Sequence, residues 1–190
     1  MRYAYFPLSG FLSLVMEVTP CPKLEVGMVG REGMLGAELS LGVAHAPFHV
    51  LVQGAGSALR IGSEALSAEM AASAVLRTTL QRYLGVTTAQ LATSTTCLFR
   101  HAPSARLARW LLMSQDRARA ALFPVTPAFL AYMLGLQPSG VTATIADLRR
   151  RGLIDLRGEA LRVIDRPGLE ATACACYRAD GANYAHHLGL

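Results

Sequence analysis

Arginine is the side chain that offers the most chemistry in this sequence. Among the 18 basic residues only Lys23 is not an arginine. The planar guanidinium fork pairs well with phosphate groups and with guanine edges. The arginines that could form a phosphate-binding surface all lie in the C-terminal half: Arg106, Arg149, Arg150, Arg151, Arg157 and Arg162. For residues 149–151 the pattern also allows a simpler interpretation, a solvated helix end that interacts with the helix dipole.

The charge is distributed unevenly along the chain. The 190 residues carry a formal net charge of +5. Residues 1–96 contain six basic and six acidic residues, whereas residues 97–190 contain twelve basic and seven acidic residues. A hydrophobic share of 52% with 16% charged residues excludes a disordered chain. The asymmetry favours a neutral sensor or assembly module joined to a module that binds a polyanion.

The cysteines and the known catalytic motifs indicate neither a disulfide framework, nor a metal site, nor an enzyme. The four cysteines, Cys21, Cys97, Cys174 and Cys176, are too few and too scattered for a disulfide framework. Cys174 and Cys176 do not have the spacing of a usual zinc knuckle, so the sequence predicts no metal and no cofactor. A phosphate-cradling glycine loop, a Gly-x-Ser-x-Gly elbow and a His-Glu-x-x-His pair are missing, so we do not expect an enzyme.

The first 60 residues have the composition of short strands. Residues 3–8, 11–18, 24–29 and 48–53 are rich in aromatic and β-branched residues, and glycines recur between them. This pattern predicts an antiparallel β-roll.

A long helix is predicted next, over residues 71–101, after an N-cap signal at Ser63. Its leucines, spaced largely by seven, favour close pairing with a second helix, and small hydroxylated residues between them permit close approach. We therefore predict a dimer interface made by Leu80, Leu84, Thr87, Leu91, Ser94 and Leu98. The alternative is that the stripe packs only on its own domain.

A helix-turn-helix pattern follows a core-facing helix that begins at Ser104. Thr126 and Pro127 mark a helix start, Gly135 marks a turn, and a second helix ends in residues 149–151. Two short strands, residues 153–157 and 160–164, form a hairpin of the kind called a wing. We predict a last short helix over residues 169–177 and a tail over residues 181–190.

This layout resembles the Crp/Fnr family of bacterial transcription regulators over nearly the whole chain. The most specific segments are residues 5–10 and 26–33 in the roll, residues 106–112, and residues 129–154. The resemblance implies an α+β fold: an N-terminal β-roll of the cyclic-nucleotide-binding type, shortened here (residues 1–70), a dimerisation helix (71–101) and a C-terminal winged helix-turn-helix (102–180). It also implies a homodimer that binds a roughly palindromic double-stranded DNA operator.

Two departures from the family pattern concern the sensor. Family members that bind cyclic nucleotides hold the cyclic phosphate with an arginine, yet no Arg or Lys stands between Arg31 and Arg60. A buried phosphate without a cation is strongly disfavoured, so we expect no cyclic nucleotide and leave the effector open. In addition, the chain begins inside the roll. The sequence leaves open whether the natural start lies upstream or a partner chain covers the sheet edge.

The resemblance places the second helix of the motif in the major groove. The residues expected to read bases are Gln137, Ser139, Gly140, Thr142 and Ala143. None is the Arg or Glu that the family often uses there. This thin readout keeps a second hypothesis open, a ligand-binding or protein-interaction module of the same fold with weakened DNA readout.

The remaining expectations concern compartment and partners. No signal peptide or membrane-spanning run is visible, so the sequence predicts a cytoplasmic protein. DNA and a second copy of the chain are the expected partners, with RNA polymerase as a further candidate.

Overall fold

The computed structural model describes residues 1–20, 23–118 and 122–189, so Cys21 lies outside the described residues. Five strands precede the first α-helix: β1 (Tyr3–Pro7), β2 (Phe11–Met16), β3 (Leu24–Val29), β4 (His49–Gln53) and β5 (Ala58–Gly62). They form two antiparallel sheets, one of β1 and β5 and one in the order β3-β2-β4. β1 and β2 thus pair with different strands, although only residues 8–10 separate them. The predicted antiparallel roll is confirmed.

Two helices connect the roll to the C-terminal half. α1 (Ser63–Ala72) ends at Ser73, whose hydroxyl accepts a bond from the Leu76 N–H and so caps α2 (Ala74–Arg100). The predicted long helix is therefore present. It begins at Ala74, three residues later than expected, because Ser73 separates it from α1. α2 packs on β3 and on a short 3-10 helix, Ala37–Leu41.

The C-terminal half begins with three helices beside a small sheet. Its first elements are α3 (Pro103–Ala118), β6 (Leu122–Pro124), α4 (Pro127–Leu134) and α5 (Pro138–Arg150). β7 (Ile154–Arg157) and β8 (Ala160–Val163) make the predicted wing hairpin, and β6 joins it in the order β6-β8-β7.

The C-terminal end differs from the prediction. Instead of one short helix and a tail, α6 (Arg166–Thr172) is followed by α7 (Ala175–Leu188), which packs along α2. Tyr184 of α7 is 8% exposed and joins Tyr83 and Met34 in the core of the roll. The tail prediction was wrong because Gly181 and two adjacent histidines resemble a frayed end, whereas burial of Tyr184 stabilises the helix.

One apolar core joins the two halves. Phe11, Val15 and Met28 of the roll belong to the same buried cluster as Leu107 and Trp110 of α3. No helix in the described part of the chain is both long enough and apolar enough to cross a membrane.

Candidate nucleic-acid interface

The turn between α4 and α5 is built by local signals. The Thr126 hydroxyl accepts a bond from the Phe129 N–H at 3.0 Å, and Pro127 fills the first turn of α4. Gly135 ends α4 with φ 59°, a left-handed conformation that suits glycine. The Leu136 N–H then donates to the Ala131 oxygen at 2.9 Å. These contacts fix the angle at which α5 leaves the turn.

α5 has one buried and one exposed face. Val141, Ile145 and Leu148 are at most 4% exposed and pack on the domain core, as the spacing predicted. The opposite face points to solvent. Four residues predicted to read bases lie on it or at its start, Gln137, Ser139, Thr142 and Ala143, while Gly140 is half-buried. This face is exposed and could contact the major groove of a DNA duplex.

Four predicted phosphate-binding arginines surround the C-terminal end of α5, each near a carboxylate. Asp155 lies 3.6 Å from Arg149 and 2.8 Å from Arg157, and the hydrogen bond from Arg157 holds the pKa of Asp155 below its ordinary value. Asp147 pairs in the same way with Arg150 and with Arg151. Exposed pairs of this kind contribute at most about 1 kcal/mol each, so phosphates can replace the carboxylates. Arg162 of β8 is also exposed.

Arg106 does not belong to this surface, and its prediction as a phosphate contact was wrong. Its side chain is 8% exposed and donates to the Leu134 backbone oxygen at the end of α4. Arg109, on the same helix, pairs with Asp180 of α7 at 2.6 Å and also donates to Ser94 of α2. Because α3 is enclosed by the roll, α4 and α7, its arginines point inward and hold these elements together.

Residues 105–172 match the family model described as the Crp-like helix-turn-helix domain. This part of the chain is a Crp-like helix-turn-helix domain. The resemblance to the Crp/Fnr family is thereby confirmed for the domain, and the solved structures extend it to the fold of nearly the whole chain.

Three solved structures show this likeness. A CRP-family transcriptional regulator from Thermus thermophilus is 22% identical, with 90% of this chain and 88% of that chain covered and a TM-score of 0.72. FixK2 from Bradyrhizobium japonicum is 15% identical, with 92% and 88% covered and the same TM-score, 0.72. A second regulator from Thermus thermophilus, of the CRP/FNR family, is 20% identical, with 91% and 88% covered and a TM-score of 0.65. No curated protein matches the chain by sequence.

The helix that leads into the Crp-like domain places its leucine stripe inward. Leu80 is 6% exposed in the core of the roll, which contradicts its prediction as an interface residue. Leu84, Thr87, Leu91, Ser94 and Leu98 are all half-buried within the chain. Leu91 lies against Gly27 of β3 and Leu98 against Gly135 of the Crp-like domain. The leucine stripe therefore packs on its own chain.

A different face of α2 is exposed. It repeats at intervals of three and four residues and consists mostly of small side chains: Val75, Thr78, Arg82, Gly85, Thr88, Ala92, Thr96 and Phe99. The two ends of this small-residue face are apolar, since Val75 is 78% and Phe99 84% exposed. This face was not predicted from the sequence, because the leucines give the stronger hydrophobic signal.

The space between the roll and α2 is nearly filled in the region of Thr87. A cavity of about 10 Å³ lies there, lined by Val29, Phe48 and Val50 of the roll and by Thr87 of α2. Glu38 is the charged side chain on its wall. No arginine or lysine lines it among the described residues.

The structure also brings together four residues that are far apart in sequence. Cys97 and His101 at the end of α2 meet Cys174 and Cys176 at the start of α7. The cysteines are scattered in the sequence, so this cluster was not predicted. The available signal was the spacing of Cys97 and His101, four residues apart at a helix end and therefore on one face.

Proposed function

We propose that the chain is a DNA-binding transcription regulator that acts as a homodimer and whose sensor roll binds no cyclic nucleotide. The observation that carries the proposal is the exposed polar face of α5 with five exposed arginines at its C-terminal end and on the wing. In a helix-turn-helix, the second helix enters the major groove and the flanking positive charge contacts phosphates. A regulator of this kind is no enzyme and acts in the cytoplasm on double-stranded DNA, with RNA polymerase as a further partner.

Base reading would rest on few side chains. The Gln137 amide can bind an adenine edge in bidentate fashion, and the Ala143 methyl can contact a thymine methyl. Ser139 and Thr142 can bond to a base or to a phosphate, although the Thr142 hydroxyl now donates to the Pro138 oxygen at 3.0 Å. With so few direct contacts, a large part of the specificity would come from the shape and deformability of DNA.

The homodimer would form through the small-residue face of α2. Small side chains let two helices approach closely, and an interval of three and four residues is the pattern of a coiled coil. The exposed ring of Phe99 and the exposed methyl groups of Val75 would be buried against the partner helix. Two copies related by a two-fold axis would present two α5 helices to neighbouring major grooves.

The wall of the roll cavity supports the proposal on the sensor. A cavity of about 10 Å³ holds no more than about one water molecule. Its lining is mostly apolar, and Glu38 would repel a phosphate. A cyclic nucleotide in this cavity would therefore have to open it and bury its phosphate beside a carboxylate, which costs several kcal/mol. The larger pocket between the two sheets of the roll, about 290 Å³, is lined by no arginine or lysine of the described residues.

Selection of bound sequences from a random duplex pool tests the proposal. We expect an enriched pseudopalindrome whose half-sites lie about 10 base pairs apart, one helical turn. Replacement of Gln137 by alanine should relax the preference at one position in each half-site. If no sequence is enriched and no duplex is retained, the proposal is wrong and the fold serves as an interaction module.

A further inference from the structure

Three cysteines and a histidine form a compact cluster where the end of α2 meets the start of α7. Sγ of Cys97 lies 3.5 Å from Sγ of Cys174, and Sγ of Cys176 lies 3.6 Å from Nδ1 of His101. One potential ligand atom from each residue lies within 4.8 Å of the other three. The cysteines are free thiols and at most 8% exposed.

Backbone elements aim these four side chains at one point. Cys97 lies in the last turn of α2, and His101 is the C-cap residue of the same helix, where its N–H donates to the Cys97 oxygen. Cys174 is the N-cap residue of α7, and Cys176 lies in the first turn of that helix. The two pairs therefore come from two packed helix ends, so the cluster does not depend on a flexible loop.

The distances match the edges of a zinc tetrahedron. With Zn–S of about 2.3 Å and Zn–N of about 2.0–2.1 Å, tetrahedral geometry requires S···S edges of about 3.8 Å and S···N edges of about 3.6 Å. The observed 3.6 Å between Cys176 and His101 fits the second value, and 3.5 Å between Cys97 and Cys174 is close to the first. Small rotations of the side chains would bring all four ligand atoms to one ion.

The surrounding charge favours an anionic centre. A zinc ion with three thiolates and one imidazole carries a net charge of −1. Arg106 and Arg109 line the same cavity as Cys97. Arg109 has Asp180 as its partner, whereas within the described residues no carboxylate pairs with Arg106. A thiolate-bound metal would supply the countercharge that this buried guanidinium otherwise lacks.

We propose that Cys97, His101, Cys174 and Cys176 bind one zinc ion as a closed, structural site. Three sulfur ligands and one nitrogen ligand in tetrahedral array are typical of zinc, and four protein ligands leave no position for a substrate. The ion joins the start of α7 to the C-terminal end of α2, beside residues 101–102 that link α2 to α3. It thereby fixes the Crp-like domain relative to the end of α2, whatever the domain binds.

Metal analysis of the untagged protein tests this site. Protein purified under reducing conditions from zinc-supplemented cells should hold about one zinc per chain, and Cys97→Ser or Cys174→Ser should remove most of it. Two matched controls should keep the zinc: Cys21→Ser, which changes the remaining cysteine, and His187→Ala, which removes an exposed histidine of α7. Zinc that survives both cluster substitutions would overturn the proposal.

A second measurement does not depend on the folding of any variant. Wild-type protein stripped with a chelator should bind one Co²⁺ and develop the visible absorption of tetrahedral thiolate coordination, and added zinc should abolish it. Zinc should also protect three cysteines per chain from alkylation and raise the unfolding temperature. The proposal is overturned if the reduced apoprotein shows no such Co²⁺ spectrum, or if mass spectrometry finds Cys97 and Cys174 joined in a disulfide in protein isolated without oxidants.

Discussion

Glu32 and Arg117 form an ion pair between the N-terminal roll and the Crp-like domain, with 2.8 Å between Oε1 and Nε. Glu32 follows β3, and Arg117 lies in the last turn of α3. The two segments touch closely, since a Cβ at Gly30 would lie 2.7 Å from Cγ of Arg117. A movement of the roll would therefore act directly on α3, without passing through α2.

Loss of the Glu32 carboxylate should destabilise the protein strongly. Arg117 is 8% exposed, so Glu32→Ala would leave a buried charge without its partner and lower the free energy of unfolding by about 3–5 kcal/mol. Urea unfolding measures this change. Glu38→Ala, which removes a carboxylate that has no ion-pair partner among the described residues, should cost less than about 1 kcal/mol. Equal losses for the two variants would refute a special role of the pair.

Removal of the Asp155 charge should strengthen DNA binding. Asp155 pairs with both Arg149 and Arg157, and a carboxylate at this position also repels phosphate. Asp155→Asn should raise the affinity for duplex DNA by about two- to fivefold, the equivalent of about 0.5–1 kcal/mol. Fluorescence anisotropy with a labelled duplex gives the affinity. Glu64→Gln makes the same charge change on exposed α1 and should have almost no effect; a weaker affinity for Asp155→Asn would contradict the assignment of this surface.

A bulky side chain at Gly85 should prevent association of two chains. Gly85 is exposed on the small-residue face, and nothing within 4 Å would meet an added Cβ. Gly85→Arg should therefore preserve the fold of the monomer. Arginine also favours a helix over glycine by about 1 kcal/mol. Sedimentation should show wild-type dimers and monomeric Gly85→Arg.

Gly181→Arg is the matched control, because it adds the same side chain at another open helical glycine, on α7. It should remain dimeric. If Gly85→Arg is dimeric as well, the small-residue face of α2 is not the interface.

The stability of the protein should fall as the pH rises from about 5 to 8 because of Glu25. Burial raises the pKa of its carboxyl group from 4.5 to about 7, although the Trp110 Nε1–H donates to it at 2.9 Å. The folded state therefore holds a proton that the unfolded state loses above about pH 4.5, so unfolding becomes easier through this window. The difference amounts to at most about 3 kcal/mol.

Glu25→Gln isolates this contribution, since an amide cannot lose a proton in this range. We expect the pH dependence of the free energy of unfolding to be smaller in the variant, with the two proteins most alike near about pH 5. Trp110 is the single tryptophan, so its fluorescence reports the unfolding directly. Parallel pH profiles for the two proteins would show that Glu25 is ionised throughout.

Local signals in the sequence were sufficient for the helix-turn-helix. Thr126, Pro127 and Gly135 act through capping and turn geometry within a few residues, so their structure follows from their neighbours alone. The buried face of α5 was predictable for the same reason. The exposure of Arg149, Arg150 and Arg151 was predictable from the periodicity of the buried residues of α5.

Other features depend on contacts that the sequence does not reveal. Arg106 was predicted on the surface because arginine is mostly exposed, and only the packing of α4 beside α3 turns it inward. Cys97 and Cys174 are 77 residues apart, so their proximity follows from the docking of α7 on α2. The same docking explains why the predicted tail is a helix.

The salt dependence of duplex binding measures whether the arginines at the end of α5 contact DNA phosphates. For the wild type, we predict a linear fall of the logarithm of the binding constant with the logarithm of salt concentration, at a slope of about −0.9 per phosphate contact. Replacement of Arg149, Arg150 and Arg151 by alanine should make the slope shallower by up to about 2.7, three contacts at this value. Arg31→Ala, which removes an exposed arginine of the roll, should leave it unchanged. A flat dependence in the wild type, or an unchanged slope in the triple variant, would contradict the account.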